Sequence, residues 1–242
     1  MSEFTKNVYD KNMWEGSMLL VDKPKTWTSF DVVNKIRYAL KLPKKKLKVG
    51  HAGTLDPLAT GLLIICTGKF TKKINELQGL DKVYDGIIQL GAITPSYDAE
   101  TEIETTFDTS HISREAILSC AKSFIGQQEQ IPPIHSAVKI DGQRAYKLAR
   151  EGQEVKMKTR SIELYDFKIL NVEMPDVSFE VHCSKGTYIR SLAYDFGKRL
   201  DNGGYLKALR RTKIGEYSLD NAWNLEELIE HIGQQKEVLF GK

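Results

Sequence analysis

Gly50-His51-Ala52-Gly53-Thr54-Leu55-Asp56-Pro57-Leu58-Ala59-Thr60-Gly61 sets a single carboxylate between a glycine-punctuated turn and an apolar run. That run, residues 62–66, reads as a buried strand. Asp-Pro commonly starts a turn, so the dodecamer by itself reads as a turn carrying Asp56. A basic segment leads into it: between Asp31 and Asp56 stand seven Lys/Arg and no acid.

The chain has 242 residues and is 41% hydrophobic, enough to bury a sizeable core in one large domain or two small ones. A net charge of +3 does not by itself imply nucleic acid, but the charge is unevenly placed. Positive residues gather at 35–48, 139–160 and 198–213, interleaved with Tyr and Gly, while 98–108 is an acidic patch. Three such stretches are suited to a phosphate-binding groove. Cys66, Cys120 and Cys183 are odd in number and far apart in apolar contexts, as expected of reduced core thiols in a cytosolic protein. No apolar run approaches the ~20 residues of a membrane span. Glu3 and Asp10 stand where a secretory signal would be apolar, so none is expected. The histidines and cysteines show no metal-ligand spacing, and no phosphate loop or dinucleotide fingerprint occurs. Chemistry on side chains alone, without metal or cofactor, is the expectation.

Along the chain, residues 18–21 predict a strand closed by Asp22-Lys23-Pro24. Ser29 is placed to cap a helix whose apolar positions Val32, Val33, Ile36, Ala39 and Leu40 follow a 3.6 period. A helix over 71–77 stops at Gly79. Residues 82–91 read as a strand with Tyr84, Gly86, Ile88 and Leu90 on one face. Ser113 opens another helix, with Gly126 as its stop. From 130 to 158, Pro132-Pro133 and a Lys/Arg- and Tyr-rich composition predict an excursion built of an extended arm and a short helix. Residues 161–170 and 177–183 alternate as strands, a helix follows from Ile189, and Asn224 caps the last one. Arg190 falls in the first turn of its helix, where the dipole opposes a cation, so a carboxylate partner is expected for it.

Gly-His-Xaa-Gly-Thr-Leu-Asp-Pro-Xaa-Ala-Xaa-Gly resembles the active-site motif of the TruB-type pseudouridine synthases, the bacterial tRNA pseudouridine-55 synthases. Further blocks resemble the same family in its order: Asp22-Lys23-Pro24 with Thr28-Ser29, Lys82-Val83-Tyr84 with Leu90-Gly91, the 139–152 insertion, Cys183-Ser184-Lys185-Gly186-Thr187-Tyr188-Ile189-Arg190, and Leu209-Arg210-Arg211. The chain departs from the pattern at Phe70, where Ala is usual, and at Thr101, where Gly is usual.

The resemblance spans about 19–228 and implies an α+β pseudouridine synthase fold, a mixed central sheet with flanking helices and a thumb-like insertion at about 130–158 that closes over RNA. One catalytic domain over 1–242 is expected, without the PUA-type domain that bacterial members of the family often carry after it. The implied activity is isomerisation of uridine in the tRNA T-loop, by a cytoplasmic monomer requiring no protein partner, membrane, cofactor or metal. Carried over residue by residue, Asp56 is the nucleophile, attacking uracil C6 or sugar C1′. Arg190 pairs with it, and Tyr84 stacks on the base and moves a proton. Tyr188 and Leu209 wall the pocket, His51 contacts the displaced nucleotide, and Lys23 with residues 44–48 holds phosphate. Two other readings fit parts of the chain: a non-catalytic RNA-binding or RNA-folding module, and the subunit of an RNA-guided pseudouridine synthase. The first gives no use to Asp56, Tyr84 and Arg190 arriving together; the second generally lacks this form of the insertion.

Overall fold

The run that follows Asp56 is apolar without alternation because its strand is covered on both faces. In this computed structural model, which describes residues 12–42, 47–134, 139–140, 143–144 and 157–241, Leu62, Leu63, Ile64, Ile65 and Cys66 are all fully buried. In chain order the elements are β1 (Met18–Lys23), α1 (Ser29–Ala39), β2 (Val49–His51), β3 (Thr60–Thr67), α2 (Ile74–Gln78), β4 (Lys82–Leu90), β5 (Ala92–Ile93) and β6 (Thr105–Thr106). Then come α3 (Arg114–Ser123), β7 (Gly126–Gln130), β8 (Lys139–Ile140), β9 (Gln143–Arg144), β10 (Arg160–Glu173) and β11 (Asp176–Cys183). The series ends with α4 (Ile189–Arg199), β12 (Gly204–Ile214), β13 (Tyr217–Ser218), β14 (Trp223–Asn224) and α5 (Leu225–Phe240). Two compact units divide the chain, Met1–Lys82 with Arg210–Lys242, and Val83–Leu209.

In the first unit the strands run β14-β1-β3-β12, with β2 also on β3 and β13 on β12. β1 lies antiparallel to β3 and parallel to β14, and β3 lies parallel to β12, a mixed sheet. Leu63 and Ile65 point into a core with Val32, Val33 and Ile36 of α1 and Leu228 and Ile232 of α5. Leu62, Ile64 and Cys66 face the opposite core with Leu77, Ile214 and Ala222. Burying each such aliphatic side chain contributes about 1.5–3 kcal/mol, so β3 anchors both layers. Burial also pushes the Cys66 thiol up to about 12, leaving it unreactive.

Helix α1 begins one residue earlier than its pattern predicts. Thr28, not Ser29, is the N-cap; its side chain accepts from the Asp31 N–H while Asp31 reaches back to the Thr28 N–H. Ser29 is thereby left for another task, described below.

The second unit orders its strands β12-β4-β11-β10-β7, with α3 and α4 supplying helical cover. Its core is aromatic: the Phe167 ring lies 5.6 Å from Phe179, 5.7 Å from Phe196 and 6.1 Å from Phe124. Gly86 of β4 makes room for it, since a Cβ there would stand 2.5 Å from the Phe179 ring. Gly126 opens β7 rather than stopping α3, which ends at Ser123. Of the 130–158 excursion, 131–134 and the antiparallel pair β8–β9 are described. The short helix expected there falls outside the described residues, as do Lys44, Lys45 and Lys46. The α+β class, with a mixed sheet and flanking helices, is as the sequence predicts.

Gly61 and Gly126 share a φ of +99°, yet a Cβ on Gly61 would lie 2.3 Å from the Arg211 carbonyl oxygen, whereas nothing stands within 4 Å at Gly126. Gly61→Ala should therefore cost about 3 kcal/mol in urea unfolding, and Gly126→Ala only the left-handed backbone cost of about 1 kcal/mol. Equal losses would show that backbone conformation, not the approach of β12, requires the glycine.

Candidate active site

Asp56 is held through its neighbours. On one side, the Ser29 hydroxyl accepts from the Leu55 N–H at 2.8 Å and donates to the Leu55 carbonyl at 3.0 Å. On the other, the Pro57 carbonyl accepts from the Thr26 N–H at 2.9 Å and from the Lys23 ammonium at 3.5 Å. The Asp56 carbonyl itself closes a turn with the Ala59 N–H at 3.1 Å. Ser29 sits in the first turn of α1, so the turn bearing the carboxylate is fixed to a packed helix. The carboxylate side chain is half-buried.

Lys23 corrects an expectation. The resemblance gives it to phosphate, but its side chain has no exposure and its ammonium donates to the Trp27 carbonyl at 2.5 Å and to that of Pro24 at 2.9 Å as well as to Pro57. An ammonium so enclosed does not meet an RNA backbone; it braces the Asp56 loop. Arg211 does similar work from β12: 1% exposed, it donates to Leu62 O at 2.8 Å and to Gly53 O at 3.1 Å. Arg210 forms a two-pronged pair with Asp22 at 2.7 and 3.2 Å and also reaches the Thr60 hydroxyl.

His51, at the end of β2, is half-buried, and its Nδ1 has no hydrogen-bond partner among the described residues. Desolvation, and then the Arg211 cation, hold its imidazole below the ordinary 6.5, with a backbone contact at Gly53 opposing them.

In the second unit, Tyr84 is buried on β4 and Leu209 half-buried on β12. Arg190 occupies the first turn of α4. It is 8% exposed and faces a carboxylate the sequence did not single out: Asp98, 1% exposed, with Arg190 Nε 3.6 Å from Asp98 Oδ2. Arg190 also donates to Ser96 O at 3.3 Å. Asp98 is no part of a solvated acidic patch. The Ser96 hydroxyl and the Glu100 N–H donate to its Oδ1, and the turn that bears it is tied to β12 through Ala99 N–H to Leu206 O and Leu206 N–H to Tyr97 O. The Thr101 hydroxyl, standing where a glycine is usual in the resembled pattern, accepts from the Ser96 N–H at 3.2 Å and so helps fold this turn. A spacing of Thr94, Ser96 and Thr101 around one Asp was the available signal: short hydroxyl side chains suited to closing a turn on a carboxylate. Tyr188 is the N-cap residue of α4, its ring beneath the Arg160 guanidinium at 5.1 Å.

Residues 40–189 match the family model for the TruB family pseudouridylate synthase N-terminal domain, and 190–239 match that for the tRNA pseudouridylate synthase B C-terminal domain. The chain belongs to the TruB family. Among TruB relatives, the tRNA pseudouridine synthase B of Flavobacterium johnsoniae is 56% identical over 86% of this chain and 92% of its own length. That of Phocaeicola vulgatus is 51% identical over 93% and 97%. Of solved structures, a chain of a Cbf5–Nop10–Gar1 complex superposes with a TM-score of 0.70 at 27% identity. The match covers 95% of this TruB chain but only 57% of the other. A chain from an H/ACA RNP bound to a substrate RNA containing 2′-deoxyuridine gives 0.69 at 26%, over 93% of this chain and 56% of that one. These likenesses make the architecture a pseudouridine synthase fold.

Two measurements check the site. Asp98→Asn keeps the shape but removes a buried counter-charge of Arg190, and should cost about 3 kcal/mol in urea unfolding; a loss below ~0.5 kcal/mol would mean the pair holds nothing together. His51 ring protons should titrate below 6.5. The folded chain then binds fewer protons at His51 than the unfolded one, so this contribution to stability is whole above 6.5 and is lost as pH falls toward the folded value. Comparing wild type with His51→Gln between about pH 7.5 and about pH 5 isolates it, and a midpoint at or above 6.5 would refute the assignment.

Proposed function

We propose that this protein isomerises uridine to pseudouridine in the T-loop of tRNA, at position 55, with Asp56 as nucleophile. The observation that carries the reading is the Asp56 turn, immobilised from both flanks by Ser29 on Leu55 and by Thr26 and Lys23 on Pro57. Relatives named tRNA pseudouridine synthase B, half or more identical over nearly their whole lengths, support the same substrate.

The reaction breaks the bond between C1′ and uracil N1, rotates the base, and joins C1′ to C5. The proton leaves C5, and N1 carries one in the product. Nothing is oxidised or reduced, so no redox cofactor is called for, and one fixed carboxylate suffices to attack C6 or C1′. The target base must leave its stack, which calls for a pocket, with Tyr188 and Leu209 as its walls. Tyr84 stacks on the uracil and serves the final proton removal from C5. Arg190, oriented by Asp98, supplies the cation of the reaction. Lys23 and Arg211 position the Asp56 loop, and His51, kept neutral, offers a hydrogen-bonding edge to the displaced nucleotide.

The two units act as one catalytic domain, a monomer that needs no protein partner for this reaction. Among the described residues no helix is long and apolar enough to cross a membrane, and a tRNA substrate agrees with a cytoplasmic location. The RNA-guided alternative is less favoured, because the relatives half or more identical to this chain are named tRNA pseudouridine synthase B.

Tritium release from a tRNA transcript labelled at uracil C5 tests the reading. Asp56→Asn should reduce turnover by several orders of magnitude while RNA affinity stays within about tenfold, ~1.4 kcal/mol. Retained turnover would remove Asp56 from the mechanism, and tight RNA binding with no turnover in the wild type would favour a non-catalytic module.

A further inference from the structure

Gln130 is the last residue of β7 and stands at the root of the 130–158 excursion, yet it is 3% exposed. A buried primary amide needs partners for both its nitrogen and its oxygen, and this one finds one for each on a single residue. Its Nε2 donates to the Tyr188 carbonyl at 3.0 Å, and its Oε1 accepts from the Tyr188 N–H at 2.8 Å. The side chain thus pairs with the Tyr188 backbone as a neighbouring strand would. One residue on, the Ser191 hydroxyl, itself buried, donates to the Ile131 carbonyl at 2.7 Å. Three hydrogen bonds therefore bind residues 130–131 to the first turn of α4, around Arg190.

The location matters because this helix start lacks the usual support. Tyr188 occupies the N-cap position without a side-chain cap, and Arg190 brings a cation to the positive end of the helix. Arg160, paired with Gln130 across β10 and β7, covers the Tyr188 ring while Gln130 holds its backbone. With Tyr188 and Ser191 both fixed, the backbone of Arg190 between them is held, and its side chain reaches Asp98 and Ser96.

We propose that Gln130 is a positioning residue for the pseudouridine-forming reaction, fixing the first turn of α4 so that Tyr188 and Arg190 are held ready for the flipped base. This rests on the tRNA reading above. It assigns work to a residue that meets neither the base nor Asp56, through hydrogen bonds that the backbone of Tyr188 receives and gives.

The variants are Gln130→Met, which keeps the length and loses both hydrogen bonds, and Gln130→Glu, which still accepts from the Tyr188 N–H but cannot donate to its carbonyl when ionised. On a tRNA transcript, Gln130→Met should lower kcat by at least about tenfold with KM within about threefold, and Gln130→Glu should fall between it and wild type. Amide exchange at Tyr188, read by NMR, should be fast in Gln130→Met and slow in Gln130→Glu, a readout that general loosening of the fold would not split in this way. If Gln130→Met does not fold, Gln130→Glu carries the test through its own kcat and exchange. Wild-type kcat in a folded variant, or a loss confined to KM, would overturn the proposal. A wild-type protein that makes no pseudouridine would instead overturn the tRNA reading, while Tyr188 exchange would still report whether Gln130 holds the helix start.

Discussion

The ammonium of Lys23 lies wholly inside the protein, giving its hydrogens to the carbonyls of Pro24, Trp27 and Pro57. Enclosing a charge in this way costs several kcal/mol unless dipoles replace the lost water, and the replacing carbonyls must then stay where they are. That requirement joins the end of β1, the entry to α1 and the residue after Asp56 into one rigid cluster. Arg211 repeats the arrangement from β12, with the carbonyls of Gly53 and Leu62. The Asp56 turn is thus surrounded by cations that have been committed to backbone, so its shape does not await a ligand. Preorganisation of this kind keeps the reorganisation that would otherwise accompany each turnover out of the barrier.

Arg190 presents the reverse case. A cation in the first turn of a helix opposes the macrodipole, and burial adds to the cost. The Asp98 carboxylate offsets both, and it is itself held by a hydroxyl, a backbone N–H and the hydrogen bonds from its turn to Leu206. One charge is therefore oriented by a second that is oriented by strand pairing. The chain of dependence ends in β12, at Leu206.

Much of this was legible in the sequence. The strand after Asp56, the apolar faces of α1, α3 and α5, and the Tyr84 face of β4 follow from side-chain period alone, because burial leaves a regular trace. The motif residues around Asp56 and Arg190 were legible through resemblance. What escaped were polar groups whose work depends on tertiary placement. Ser29 and Thr28 are both good caps, and only the fold gives one to the helix and the other to Leu55. Asp98 stands in an acidic stretch, which is usually a solvated face, and nothing in the sequence tells a buried Lys23 from a phosphate contact. Gln130 left no trace at all, since an amide two residues before a double proline has neither period nor charge to mark it.

Ser29 leads furthest from its local role. Its hydroxyl clasps both backbone groups of Leu55, and its own backbone lies in the first turn of α1, whose inner face is Val32, Val33 and Ile36. The turn presenting Asp56 is therefore not free to breathe as surface loops do. To open, it must either surrender two hydrogen bonds in a buried setting or take α1 with it, and α1 is packed against the β3 layer and α5. The carboxylate belongs, in thermodynamic terms, to the same cooperative opening unit as the core of the first half of the chain, and its local stability approaches that of the fold itself. A motif that looks like a loop in the sequence behaves as an extension of the hydrophobic interior.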